Sequence, residues 1–192
     1  MTSGAPVPQT SEPPPAPAAP PPAIPEPGFV RPFEMAVILS VIVLDQITKV
    51  MVREFISLGE SKTVIPGLLD LTHVQNTGAA FGLLNSIDFP YKPLVMIAIA
   101  SVALIAIAAY GTQLGFHDRL ARFGLALILG GAFGNLIDRA VVGHVTDFVD
   151  VYWKGVHFWA FNVADAAINV GAALVLLDMI GLGRRKHVSH PV

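Results

Sequence analysis

No cysteine occurs anywhere in the 192 residues. That single absence excludes disulfide scaffolds, cysteine nucleophiles, thiolate zinc sites and acylated cysteine anchors. Charge is scarce as well. Only 14% of the residues are charged and 53% are hydrophobic, whereas an ordinary soluble domain carries about 25% charge. Mean hydropathy is +0.62, a value that argues against a water-soluble globular domain. The 12 Lys and Arg against 14 Asp and Glu give a formal charge of -2, which withholds the cationic surface that nucleic-acid binding requires. The length suits one compact membrane domain.

Proline is abundant but confined. Residues 1–32 hold 12 of the 16 prolines, in runs such as Pro13-Pro14-Pro15 and Pro20-Pro21-Pro22. Such a composition neither forms helix nor buries a core, and reads as a disordered tail biased to polyproline II. It lacks the charged start, apolar middle and cleavage site of a secretory signal peptide. Beyond it come four stretches with the length and apolarity of transmembrane helices: Met35 to Phe55, Leu94 to Leu114, Leu120 to Arg139 and Phe161 to Leu182. In the third, Ala126, Gly130 and Gly134 recur every four residues, a spacing that admits close approach of another helix.

Four spans place both termini on one side. Arg31, Arg119, Arg122, Arg184, Arg185 and Lys186 then mark that side as cytoplasmic. The outer face receives the segments from Ile56 to Pro93 and from Ala140 to Ala160. Within these, Leu68 to Gln75 and Val145 to Trp153 have the β-branched and aromatic content of short strands. Strand parity sets Asp147 with Val145, Val149, Val151 and Trp153, and Asp150 on the opposite face. The expected fold is an all-α membrane protein with four transmembrane helices and a small outer β-structure, the membrane domain covering residues 33–183 and a basic tail residues 184–192.

An ionisable group inside a span costs about 2.5–3.5 kcal/mol near its centre, so each one needs a reason. Asn162, Asp165 and Asn169 form one helical stripe; Gly131, Asn135 and Arg139 form another, with Asp138 beside it; Asp45, Thr48 and Lys49 share a face of the first span. Asp45 with Lys49, and Asp138 with Arg139 or another Arg, read as structural ion pairs. Asp165 has no basic residue within a helical turn, and the nearest to Asp147 are His144 and Lys154. If these two carboxyls meet, they cannot both ionise; one keeps a proton while the other acts as base. That is aspartic-protease chemistry, needing neither metal nor cofactor. All six histidines lie outside the four spans, which weighs against a zinc site or a serine-histidine pair within the membrane. A small transporter and a noncatalytic membrane scaffold remain as alternatives.

Four blocks in order resemble the bacterial lipoprotein signal peptidases, the type II signal peptidases. They are Leu44-Asp45-Gln46-Ile47-Thr48-Lys49; Gln75-Asn76-Thr77-Gly78-Ala79-Ala80-Phe81-Gly82; Gly130 through Arg139, continuing into Val145-Thr146-Asp147-Phe148; and Phe161 through Asn169. The resemblance covers about residues 33 to 183. It implies a four-helix membrane aspartyl endopeptidase of the bacterial inner membrane with an extracytoplasmic β-cradle. It also implies that Asp147 and Asp165 are the catalytic pair, that Asp45 and Asp138 support it, and that Asn76, Gly78, Asn135, Arg139 and Asn162 line the site, with Gln46 and Gly131 as weaker correspondences. The implied substrate is a prolipoprotein whose Cys already carries diacylglycerol, cut just before that Cys by an enzyme expected to be a monomer in membrane lipid. Gly131, Gly134 and Gly171 are expected to leave room for another helix to approach. The proline-rich tail has no counterpart in the family pattern.

Overall fold

The structure, a computed structural model, describes residues 1, 31–78, 89–115 and 117–181. The proline-rich tail, the Ala79-Ala80-Phe81-Gly82 part of the second block and the basic C-terminus with Arg184, Arg185, Lys186, His187 and His190 lie outside the described residues. Among the described residues, four helices and four strands follow one another as α1 (Pro32–Phe55), β1 (Ser61–Ile65), β2 (Leu69–Asn76), α2 (Lys92–Gly111), α3 (Arg119–Val141), β3 (Val145–Trp153), β4 (Val156–His157) and α4 (Val163–Met179).

Helices α1, α2 and α3 are long and apolar enough to cross a membrane. Their outward faces remain exposed and apolar, as at Leu39, Val43, Ile47, Val50, Ile99, Val102 and Ile105, which is what lipid-facing helices require. The chain is a multi-pass membrane protein. The fourth expected span is shorter than the sequence suggests: α4 has 17 residues, or about 25 Å of helix. It is trimmed at both ends: Ile180 is the C-cap and Gly181 takes a positive φ, and at the start the sheet intervenes. Phe161 is extended and pairs with Val149 of β3, and Asn162 is the N-cap, so two residues assigned to the span belong to its junction with the sheet.

The central helix is α3, which packs against α1, α2 and α4. Glycines make this possible. A Cβ on Gly124 would sit 2.6 Å from the Gly171 carbonyl oxygen, and one on Gly130 would sit 2.8 Å from Val41 Cβ. Gly131 faces the Ala164 carbonyl in the same way. The expectation that Gly131, Gly134 and Gly171 leave room for another helix to approach holds within the bundle itself. Gly131 and Gly171 are filled by α3–α4 packing, and Gly134 admits the Asp45 side chain of α1. Apolar burial is modest, with Ile38, Leu104, Ala126 and Leu129 forming one cluster. Close backbone contact takes the place of a bulky core. At the far end from the sheet, the Arg122 guanidinium forks onto Glu34 at 2.6 and 2.8 Å, joining α3 to α1.

The four strands form one antiparallel sheet in the order β1-β2-β3-β4. Strands β2 and β3 were expected; β1 and the two-residue β4 were not, being short and mostly exposed. A register shift between Leu71 and Val74 sets Val74 opposite Asp147 and Asn76 opposite Val145. Phe148 turns toward Val52 and Ile56 of α1 and seats the sheet on the helices.

Gly171→Val should lower the thermal midpoint in detergent, because the added carbons meet the Gly124 carbonyl and overpacking costs about 1–3 kcal/mol. Ala173→Val, exposed on the same helix, should leave the midpoint nearly unchanged.

Candidate active site

Lys49 is fully buried in the first span, with its Nζ 2.8 Å from Asp45 Oδ2 and 3.1 Å from Asp138 Oδ2. The expected Asp45–Lys49 pair is present. Of the two partners expected for Asp138, the arginine other than Arg139 is the one present: it meets Arg53 at 3.6 Å, and Lys49 besides. Neighbours on a helix project about 100° apart, so Asp138 turns to α1 while Arg139 turns to the other side. The two carboxylates also accept backbone donors. Asp45 Oδ1 takes the Ala164 N–H at 2.9 Å and Asp138 Oδ2 the Thr146 N–H at 3.1 Å. Gln46 Nε2 bridges Asp45, the Gly134 carbonyl and Asp138. One buried cation thereby ties α1 to α3, to the first turn of α4 and to β3.

The third ammonium hydrogen of Lys49 is donated to Asn135 Oδ1 at 2.9 Å. With its oxygen taken, Asn135 turns its amide NH2 outward and donates to Asp165 Oδ1 at 2.8 Å. Asp165 stands in the first turn of α4 and closes a capping box. Its N–H donates to Asn162 Oδ1 at 2.9 Å, and its Oδ2 accepts the Asn162 N–H at 3.3 Å. The helix terminus adds positive potential beside this carboxylate. The Nδ2 of the same Asn162 reaches across to Asp147 Oδ1 at 2.7 Å. One buried side chain therefore touches both Asp165 and Asp147.

Asp147 projects from β3 on the face that parity predicts, and it is buried. Its second oxygen accepts from Asn76 Nδ2 at 3.0 Å. Burial first, and then the charge of Asp165, push the Asp147 carboxyl up to about 6 from its ordinary 3.8, against the opposing pull of the Asn76 and Asn162 amides. Asp150, on the other face, bonds His157 Nδ1 at 2.8 Å. Arg139 donates to the Gly78 carbonyl at 2.9 Å and the Asn135 carbonyl at 3.3 Å. Gly78 in turn gives its N–H to Asn76 Oδ1 at 3.0 Å.

Asp45, Asn76, Gly78, Asn135, Asp138, Arg139, Asp147, Asn162 and Asp165 are thus brought into one connected network. Asp147, Asp165, Asn76, Asn135 and Arg139 line a cleft of about 880 Å³. Its other walls are apolar, among them Met96, Ile99 and Ala103 of α2, Ala132 of α3 and Ile168 of α4. Such a cleft accepts an apolar segment and brings it against two carboxyls. Among the described residues, no group of three His, Asp or Glu side chains could hold a metal ion. Thr146 and Arg53 were missed as part of the support: Arg53 donates to Thr146 Oγ1 at 3.1 Å. A signal for Arg53 existed, since Asp45, Lys49 and Arg53 recur every four residues. None existed for Thr146, whose contacts depend on the sheet's position.

Residues 37–181 match the family model described as signal peptidase (SPase) II. The chain is 50% identical over 151 residues to the lipoprotein signal peptidase of Geobacter sulfurreducens, covering 79% of this chain and 93% of that protein. It is 41% identical to the lipoprotein signal peptidase of Pseudomonas putida, covering 73% and 82%. A solved bacterial membrane enzyme, determined by the in meso method at 2.3 Å, superposes with a TM-score of 0.71 at 28% identity, over 83% of this chain and 94% of that one.

Replacing Lys49 by Met strands two buried carboxylates, a change that costs about 3–5 kcal/mol. Lys49→Met should therefore accumulate poorly in the membrane or melt well below the parent chain in detergent. Adding Asp45→Asn should restore part of the loss, measured as thermal midpoint; a double variant weaker than Lys49→Met would contradict the pairing.

Proposed function

This chain belongs to the signal peptidase II family, and we propose that Asp147 and Asp165 are the carboxyl pair with which it cuts. It is an aspartic peptidase that removes signal peptides from prolipoproteins. The observation that carries the proposal is the shared Asn162, whose oxygen accepts from Asp165 N–H while its NH2 donates to Asp147, at the polar end of an otherwise apolar cleft.

In the proposed reaction Asp147 holds the shared proton and Asp165 is ionised. Water between them gives a proton to Asp165 and attacks the scissile carbonyl, whose oxygen takes a hydrogen bond from the Asp147 carboxyl. The tetrahedral intermediate collapses as the leaving nitrogen receives the proton collected by Asp165, and the pair returns to its singly protonated state. Asn135, held by Lys49, keeps Asp165 charged and oriented, while Asn76 and Asn162 fix Asp147. Arg139 and Gly78 line the approach, and Asp45 and Asp138 hold Lys49.

The membrane setting follows the same logic. In this reading α4 is the fourth span, both termini are cytoplasmic, and the pair lies near the outer face of the bacterial inner membrane. The sheet is the extracytoplasmic cradle. Trp153, Phe158 and Trp159, each more than half exposed beside the cleft, have the chemistry of side chains that settle at a membrane–water interface. The substrate's signal helix occupies the apolar cleft, and its cleavage site carries a diacylglyceryl Cys. Each buried methylene contributes about 0.8 kcal/mol, so two acyl chains hold the scissile bond at one depth and reduce the positional freedom that attack must overcome. The enzyme works as a monomer, with residues 33–183 as the peptidase domain and residues 1–32 and 184–192 as cytoplasmic tails.

Two matched precursors, one diacylglyceryl-modified and one with a free Cys, incubated with the purified protein in the same liposomes, test this reading through the signal peptide released. The lipidated precursor should be cut and the free one spared; equal rates would remove the requirement for lipid. Asp147→Asn and Asp165→Asn should each abolish turnover while still inserting, and Asp150→Asn should retain substantial activity. An active Asp147→Asn would overturn the pair.

Loss of the Asp147 proton ends the singly protonated state, so kcat/KM should fall on its basic limb near pH 6. A bound apolar helix buries the pair further and penalises the second charge, which should move the same limb to higher pH in kcat. Coincident limbs in the two profiles would contradict the assignment.

A further inference from the structure

Lys92 opens α2 and is 4% exposed. A buried ammonium is costly unless hydrogen-bonded, so its contacts carry information. Its Nζ donates to Thr77 Oγ1 at 3.1 Å. Thr77 is the middle residue of the Asn76-Thr77-Gly78 turn that leaves β2. On either side of it, Asn76 Oδ1 accepts the Gly78 N–H at 3.0 Å and the Gly78 carbonyl accepts Arg139 at 2.9 Å. With its oxygen occupied, the Asn76 amide presents only NH2, which is the group that reaches Asp147 Oδ2.

The other end of this link is the cleft wall. Lys92 precedes Met96, Ile99, Ala100, Ala103 and Ile107 on one helical stripe, and those five residues line the cleft. Helix α2 has its own footing on α3, whereas the turn belongs to the sheet. The Lys92–Thr77 bond therefore connects two bodies that face the substrate from different sides.

We propose that Lys92 is a positioning residue that ties the α2 wall of the cleft to the turn bearing Asn76, so that a substrate helix seated against α2 fixes the Asn76 amide on Asp147. The inference rests on the reading of Asp147 as a member of the cutting pair. Lys92 touches no reacting atom in this account. It acts through Thr77 and Asn76, and its effect belongs to the bound state.

The test uses full-length protein in liposomes with the lipidated precursor. Lys92→Met should lower kcat about tenfold, the scale of a small misplacement, and leave KM within about twofold. The basic limb of the kcat profile should move to higher pH, because a donor to the charged form of Asp147 is loosened. Lys92→Arg should recover part of the rate. Thr77→Val, which removes the acceptor hydroxyl from an exposed position, should reproduce the slowing and the shift. The double variant should be no slower than either single one, since both remove the same bond. Should Lys92→Met fail to insert, Thr77→Val carries the test alone. Additive losses, an unshifted limb, or normal turnover in Thr77→Val would overturn the inference. If Asp147→Asn still cleaves, the pair itself is wrong; if Asp147→Asn is dead and the Thr77 and Lys92 variants are normal, only the role of Lys92 fails.

Discussion

A buried ammonium has to be neutralised, and in this molecule the neutralising groups come from different parts of the chain. Lys49 and Asp45 are on α1, Asp138 is on α3, and the two carboxylates complete their valences with backbone N–H groups from α4 and β3. No subset of these elements satisfies the charge, because removing any one leaves a polar group stranded in a medium without water. The helices have few large buried side chains to hold them in register. The ion cluster supplies that register, and the glycines of α3 permit the close approach it requires.

The site is built outward from that cluster by fixing amide orientations. An asparagine side chain has one acceptor end and one donor end, so occupying the oxygen aims the NH2. Lys49 does this to Asn135, the Asp165 N–H does it to Asn162, and the Gly78 N–H does it to Asn76. All three NH2 groups then point at Asp165 or Asp147. Amides are suited to this task. A cation in the same place would favour ionisation of both carboxyls, while apolar neighbours would favour protonation of both.

Placing the two carboxyls on different elements has a further consequence. Asp165 rides on a helix terminus and Asp147 on a strand, and the apolar cleft opens beside both. The cleft wall that α2 contributes is apolar throughout, from Met96 to Ile107. Asp150 illustrates the other face of the same strand, where a largely buried carboxylate pairs with the exposed His157 and does not line the cleft.

Hydropathy alone located the four helical regions to within a few residues, and strand parity separated Asp147 from Asp150, because both signals are local and periodic. The i, i+4 spacing likewise announced the Asp45–Lys49 pair. Other features depended on contacts that local sequence does not encode. Asp138 sits beside Arg139 in the chain yet bonds Lys49 and Arg53, since helical geometry turns adjacent side chains apart. Phe161 and Asn162 carry the apolar and polar signature of a helix but serve as a bridge partner and a cap, because β3 competes for the Phe161 backbone. The glycines announced a close helix approach, but not which helices would make it, and the packing assigns α1, α3 and α4. Sequence by itself determined which segments form apolar helices and which polar residues need a reason to be there; only the tertiary structure decided which of them meet, since a buried polar group is satisfied by whatever partner the packing brings within hydrogen-bond reach, however distant along the chain.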